Sequence, residues 1–192
     1  MRFSIFAILA AVSLSAACNF NPIEEGWVKT IMCFALKAIA INKTTEELGK
    51  DGHGPWEDII TGLKDMSTTI EASINATLAV PLDIKYTGTD ALNVVAAYFY
   101  QGSVIIELMK RLTHKARDVD RVADIKRSMA WALSDLGLAE EMLSFGLRNA
   151  VDEEDAAATI DRIRNEIQRI QDAAARSYGM PDGSHGTQLG TY

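Results

Sequence analysis

Few side chains in this sequence have the type and spacing that catalysis or metal binding requires. No histidine lies in an HExxH or Glu-x-x-His pattern, which would place metal ligands on one face of a helix. The sequence also has no GxSxG nucleophile motif, no Gly-rich phosphate loop and no cysteine with an obvious base nearby. The histidines are His53, His114 and His185. We therefore predict that the protein is not an enzyme and that it holds neither a metal nor a cofactor.

Two pairs of adjacent acidic residues are the remaining candidates for acid–base chemistry. They are Glu140 with Glu141, and Glu153 with Glu154. Paired carboxylates can act as general acid and base, but runs of charge in helical stretches usually mark solvated surfaces. We predict that both pairs form solvated helix faces or helix caps, without a catalytic role.

The two cysteines, Cys18 and Cys33, allow one intramolecular disulfide. Such a bond closes a loop of about 16 residues and contributes ~3 kcal/mol on the chain-entropy model. It would pin the N-terminal segment onto the first helix. The alternative is that Cys33 is a buried thiol and that Cys18 is lipid-modified or exposed. An oxidising compartment favours the disulfide, so the choice depends on where the protein resides.

Residues 1–17 have the pattern of a secretory signal peptide. Arg2 supplies the positive charge, residues 5–14 are mostly apolar, and "SAA" at 15–17 offers small side chains for cleavage. The run is too short for a ~30 Å hydrocarbon core, and we predict no transmembrane segment in the rest of the chain. A lipoprotein signal would need a large apolar residue at position 15, which is Ser15. We predict a secreted protein, extracellular or associated with a cell wall.

Two N-glycosylation sequons agree with this compartment. They begin at Asn42 ("NKT") and at Asn75 ("NAT"), and such sequons are modified only along a eukaryotic secretory route. Removing residues 1–17 takes away one basic residue, which leaves 18 Lys and Arg against 26 Asp and Glu, a net charge of −8. This acidic balance argues against a nucleic-acid partner, because phosphate binding requires a basic patch.

The apolar residues recur at steps of three and four, which predicts an all-α fold. Five helices are expected, at about 24–46, 56–78, 90–112, 122–147 and 156–178, and they would form an antiparallel bundle. Pro55 suits the start of the second helix, and Thr89 or Asp90 would cap the third. We assign residues 18–178 to the bundle domain. Residues 179–192 are polar, Gly-rich and aperiodic, so we predict a disordered tail.

Glycines and methionines inside these helices allow two interpretations. Gly62, Gly102, Gly137 and Gly146 either bring helices close together or, next to flexible methionine side chains, leave an apolar cavity. Periodicity alone cannot separate a filled core from a hollow one.

Several segments resemble one protein family: "TDALNVV" at 89–95, "IIELMKRLTHK" at 105–115, "LSDLGLAEEMLSFGL" at 133–147 and "IRNEIQRIQDAAARSYG" at 163–179. In helix order and apolar pattern, residues 24–178 resemble the fungal hydrophobic surface-binding protein A family, which includes cell-wall galactomannoproteins. The resemblance implies a secreted or wall-associated helical protein. Some members coat hydrophobic surfaces, and others hold a fatty acid inside a helical bundle. This chain differs by its cysteine pair, and it has no Ser/Thr-rich stalk or C-terminal anchor signal.

Two functional hypotheses follow. In the first, the interior between the second and fifth helices takes a fatty acid or another apolar ligand. The side chains expected to line it are Leu63, Met66, Ile70, Val95, Phe99, Ile106, Met109, Met129, Leu136, Ile163 and Ile167. In the second, the protein is a surface adhesin or a secreted interaction protein without an internal ligand. Its segment "WVKTIMCFALKAIAI" at 27–41 would then swing open to contact a hydrophobic surface. The sequence does not define an oligomeric state.

Overall fold

Five α-helices make up most of the chain that the computed structural model describes, which comprises residues 22–49, 53–78, 85–119 and 122–180, with only the backbone of residues 23–25. Among these residues there is no β-strand, and one isolated bridge pairs Tyr86 with Val151. The predicted all-α fold with five helices is confirmed. The helices are α1 (Pro22–Thr44), α2 (Trp56–Leu78), α3 (Gly88–Lys115), α4 (Ala123–Ala150) and α5 (Glu154–Ser177), with short 3₁₀ turns at Thr45–Glu47 and Ala116–Val119.

The N-termini of α2 and α5 contain the residues expected there, whereas the N-terminal cap of α3 differs from the prediction. Pro55 precedes α2, and its carbonyl accepts the N–H of Ile59. Glu154 lies in the first turn of α5, where an acidic side chain favours the positive helix end. The predicted cap of α3 is wrong, because the helix begins before Thr89, at Gly88. The Gly88 N–H donates to Oε1 of Glu153, so a side chain from the start of α5 caps α3.

The helices form a closed ring in the order α1, α2, α4, α5 and α3. Glu46, just after α1, pairs with Arg111 near the end of α3 at 2.8 Å. Tyr178, just after α5, donates to the carbonyl of Leu112 at 2.7 Å. Helices α1, α3 and α5 therefore run in one direction, and α2 and α4 in the other. Helices consecutive in the chain are antiparallel as predicted, whereas α3 lies between two parallel neighbours.

One continuous hydrophobic core fills this ring. Helix α1 contributes a fully buried face that includes Ile31, Phe34 and Ala38, as its apolar sequence indicated. The inner face of α3 includes Val94, Tyr98, Ile105 and Leu108. The predicted positions Val95, Phe99 and Ile106 are offset by one from the inner residues Val94, Tyr98 and Ile105. Met109, further along the helix, is buried as predicted. The reason is that α3 carries apolar side chains on more than one face, so the period does not fix the helix rotation.

The segment Gly88–Val119 is, within the described residues, the one helical stretch long and apolar enough to cross a membrane by length and composition. In this structure 44% of its apolar window is buried in the bundle. Core helices of soluble proteins pass the same test, so length and composition alone do not make α3 a membrane span.

Some of the sequence predictions fall outside the described residues, namely the signal peptide, Cys18 and most of the C-terminal tail. Cys33 lies on α1 and is half-buried, and its pairing with Cys18 stays a prediction. The two sequon asparagines lie on helices: Asn75 is exposed on α2, and Asn42 is half-buried near the end of α1. Their glycosylation also stays a prediction.

Candidate ligand-binding groove and the polar centre of the bundle

The residues predicted to line an internal site occupy three kinds of environment. Eight of the eleven are buried in the core: Leu63, Met66, Ile70, Met109, Met129, Leu136, Ile163 and Ile167. Val95 and Ile106 are half-buried at its edge. Phe99 is 64% exposed, and its predicted place in the interior is wrong because the inward position of that turn belongs to Tyr98.

Two of the helical glycines allow helices to pack closely and do not leave an apolar cavity. A Cβ atom on Gly102 would lie 2.9 Å from Cδ1 of Ile167 and 3.1 Å from Cγ2 of Ile163. On Gly62 it would lie 3.0 Å from Cγ1 of Ile41. Real Cβ contacts are almost never that short, so isoleucine side chains occupy the space that these glycines leave. At these two positions the close-packing interpretation is correct.

An apolar groove of about 610 Å³ lies between α1 and α3. Helix α1 contributes Trp27, Val28 and Met32 to its walls, and α3 contributes Ala96, Ala97 and Tyr100. Lys29 and Asn93 add polar groups. Because α1 and α3 are far apart in sequence and meet only in the ring, helical periodicity within either segment does not reveal this groove.

A break in α1 shapes one end of the groove. Gly26 has φ +76° and ψ 158°, which is not helical and which a residue with a side chain rarely adopts. Trp27 follows the break and is 4% exposed. Its ring atoms lie 3.7 Å from the Cβ position of Gly146 on α4. Since α1 and α4 are not neighbours in the ring, the indole of Trp27 reaches across the bundle. Trp27 thus belongs to the core and also lines the groove.

A hydrogen bond between two buried polar side chains crosses the middle of the bundle. Nε2 of Gln101 on α3 donates to Oε1 of Glu140 on α4 at 2.6 Å. Burial raises the pKa of Glu140 to about 8, and the hydrogen bond from Gln101 opposes that rise. The prediction that Glu140 lies on a solvated face is therefore wrong. Glu140 occupies the apolar stripe of α4 between Leu136 and Leu143, and this gap in the stripe was the sequence signal for its burial.

Several buried polar atoms near this bond lack a hydrogen-bond partner. They include Oε2 of Glu140, Oε1 of Gln101 and the hydroxyl of Tyr98. Burial, followed by the charge of Glu140, raises the pKa of Tyr98. The Ser144 hydroxyl lies near Tyr98 and opposes this rise in pKa. Ser144 donates its hydrogen bond to the carbonyl of Glu141, and no hydrogen bond forms between Ser144 and the Tyr98 hydroxyl. An unsatisfied buried polar group costs about 1–3 kcal/mol, so this centre is a costly feature of the core.

Two other helices also carry buried polar atoms that lack a hydrogen-bond partner. Oγ of Ser67 on α2 and both amide atoms of Gln171 on α5 are buried without a partner. The described part of the chain contains no group of His, Cys, Asp and Glu side chains that could hold a metal ion.

Apolar side chains are also exposed beside the groove. Leu92 and Phe99 on α3 are each 64% exposed, Tyr100 is 44% exposed, and Met32 on α1 is 37% exposed. On the other side of the ring, Trp131, Leu138 and Phe145 lie exposed along α4. The guanidinium of Arg164 covers the ring of Phe145 at 5.2 Å from its centroid.

These features define an all-α bundle with an apolar groove between α1 and α3 and a polar centre in its core. No protein-family profile matches the sequence, and no curated protein sequence matches it. Among solved structures, the fold is similar to ligand-binding domain 1 of the Penicillium marneffei MP1 protein, in complex with arachidonic acids. The TM-score is 0.69 and the identity is 12%, over 84% of this chain and 100% of that domain. At this identity the likeness shows a shared fold.

Proposed function

We propose that this protein binds a single-chain apolar ligand, a fatty acid or a similar lipid, in the groove between α1 and α3. The observation that carries the proposal is the groove itself, whose volume of about 610 Å³ falls within the roughly 300–1,000 Å³ of small-molecule sites. Its walls are mostly apolar, with a few polar groups at the side, as such sites usually are. The shared fold with a domain that holds arachidonic acids supports the same ligand class.

The interior of the ring is the second part of the proposed site. Trp27 belongs to the core and lines the groove, so a rotation of this side chain would let a ligand pass between them. The buried residues predicted as lining, such as Met66, Met109 and Met129, would then form the inner wall. Methionine side chains adapt their shape at low cost, which suits a core that opens around a ligand.

A tryptophan in the groove provides the test. Ala96 is exposed and lines the groove, so Ala96→Trp should fill it without disturbing the core. Ala158 is exposed on α5, away from the groove, and Ala158→Trp is the matched control. Displacement of a fluorescent long-chain fatty acid gives the affinity of each protein, and native mass spectrometry detects the bound lipid.

We expect the wild type and Ala158→Trp to bind equally. Ala96→Trp should bind at least about tenfold more weakly, because its indole occupies the volume that the ligand needs. Equal affinity of all three proteins would place the ligand elsewhere, and no binding to the wild type would refute the proposed function.

We assign this activity to the outside of the cell, as a secreted protein free in the medium or associated with a cell wall. The assignment rests on the signal-peptide pattern of residues 1–17, on the two sequons and on the proposed disulfide between Cys18 and Cys33. The distant likeness to the fungal surface-binding and cell-wall galactomannoproteins agrees with it.

Binding to a hydrophobic surface is a second candidate function, which the exposed side chains beside the groove favour. In the sequence hypothesis the segment 27–41 swings open, but Ile31, Phe34 and Ala38 in that segment are core residues. The outer face of α3 needs no such opening. Phe99→Ser should therefore reduce adsorption to octyl-coated beads while fatty-acid binding in the groove stays unchanged. Unchanged adsorption would contradict this role of α3.

A further inference from the structure

The polar centre of the bundle, formed by Tyr98, Gln101 and Glu140, contains hydrogen-bond donors and acceptors that have no partner. Glu140 is neutral below its pKa of about 8, so its unpartnered Oε2 carries a proton and is a hydrogen-bond donor. The unpartnered Tyr98 hydroxyl is a second donor, and the unpartnered Oε1 of Gln101 is an acceptor. Three helical side chains therefore present two donors and one acceptor inside an apolar core.

This centre lies next to the groove along α3. Ala97 lines the groove, and Gln101 follows it by four residues, which places both on one face of the helix about one turn apart. Tyr98 is adjacent to Ala97 in sequence and is fully buried. A chain that enters from the groove past Trp27 would reach this polar centre within a short distance.

We propose that Tyr98, Gln101 and Glu140 form a head-group site, which takes the uncharged polar end of a single-chain amphiphile, a protonated carboxyl or a hydroxyl. The assignment rests on the proposed function and specifies the ligand class of that site. One head-group oxygen accepts hydrogen bonds from Tyr98 and Glu140, and its O–H donates to Oε1 of Gln101. Both ligand types offer this combination, since each head group contains a donor and an acceptor.

Charged head groups do not match the site. The charged groups that act on Tyr98, besides Glu140, are Arg164 and Asp161 on α5. Arg164 pairs with Asp161 at 3.3 Å, and Arg148 pairs with the same carboxylate at 3.1 Å. These cations are held in surface ion pairs outside the polar centre. A phosphate or a quaternary ammonium group would enter an apolar core without a counter-ion there, which is strongly unfavourable.

Three amphiphiles with the same chain test the assignment: dodecanoic acid, dodecan-1-ol and dodecyltrimethylammonium. Their affinities are measured at pH 6 by displacement of a fluorescent fatty acid from the wild type, Tyr98→Phe and the control Glu141→Gln. Tyr98→Phe removes one unpartnered hydroxyl and retains the ring, so the fold should persist, and thermal unfolding checks this. Glu140→Gln is the conservative variant of the same site, because its amide keeps one acceptor for Gln101 and one donor for the head group.

We expect the wild type to bind the acid and the alcohol more tightly than the cation. Tyr98→Phe should weaken the acid and the alcohol by about threefold to tenfold, the worth of one hydrogen bond, without affecting the cation. The control should match the wild type. If the three amphiphiles bind equally and Tyr98→Phe changes none of them, the head-group site is refuted while the proposed function stands. If none binds to the wild type, both fail.

Discussion

The neutral carboxyl of Glu140 should make the stability of this protein depend on pH in an unusual direction. Its pKa rises from 4.5 to about 8 on folding, because burial disfavours the charged form. Between these two values the unfolded chain releases the proton while the folded chain keeps it. The free energy of unfolding therefore decreases as pH rises through this window, whereas below pH 4.5 both states hold the proton and the effect vanishes.

The size of this change in stability follows from the difference between the pKa values of Glu140 in the unfolded and the folded protein. One pKa unit corresponds to ~1.36 kcal/mol, so the group lowers the free energy of unfolding by about 3 kcal/mol at pH 7 and about 5 kcal/mol above pH 8. Glu140→Gln removes the titrating group and keeps an amide oxygen that can accept from Gln101. The variant should match the wild type near pH 4 and exceed its stability by several kcal/mol near pH 8.

Urea unfolding at half-unit intervals from pH 4 to pH 9 measures this effect. Other carboxyl groups titrate in both proteins, so the difference between variant and wild type isolates Glu140. Glu141→Gln, at a half-buried neighbouring position, is the control variant. A difference for Glu140→Gln that stays constant across the range would refute the argument that burial holds this carboxyl neutral.

Two further predictions concern packing and hydrogen bonding in the bundle. Gly102→Ala should lower the free energy of unfolding by about 1–3 kcal/mol because its Cβ would overlap Ile167. Gly146→Ala should raise it by up to ~1 kcal/mol, because its Cβ meets Trp27 at an ordinary 3.7 Å and alanine favours the helix. Urea denaturation compares them, and equal effects would contradict the packing argument. Tyr178→Phe removes the buried 2.7 Å hydrogen bond to the carbonyl of Leu112. It should lower the melting temperature and the free energy of unfolding, by about 1–2 kcal/mol, and an unchanged melting temperature would count against this.

The helices were predictable because each depends on local sequence. Spacing of apolar residues defined all five, and Pro55 marked the start of α2. The rotation of α3 was not predictable in the same way, because Leu92 and Phe99 are as apolar as the inward residues beside them. Which face turns inward depends on α1 and α5, both of which lie outside the segment itself.

The polar centre and the groove were harder to predict from the sequence than the helices. Glu140 next to Glu141 resembles a charged surface pair, and its burial depends on Gln101, a partner on another helix. The apolar stripe of α4 did contain a gap at position 140, which is a usable signal in retrospect. Prediction of the groove requires two features that helical periodicity does not reveal. They are the parallel contact of α1 with α3 and the break of α1 at Gly26.

The order of helices in the ring also determines how the groove can change shape. Of the five contacts that close the ring, only those of α1 with α2 and of α4 with α5 join helices consecutive in the chain. No loop connects the two sides of the α1–α3 seam. Lys37 on α1 donates to Asp65 and Thr69 on α2, which holds these two helices together as one hairpin.

At one end of this seam, polar contacts join α3 to the turn that follows α1. Arg111 pairs with Glu46 there, and Lys115 donates to the carbonyl of Leu48 at 2.7 Å. Separation of α1 from α3 at this end therefore requires these contacts to break, whereas no helix needs to unwind. Because the pair of Arg111 with Glu46 is exposed, dissolved salt weakens it. We therefore expect the residence time of the proposed ligand in the groove to fall as the ionic strength of the medium rises.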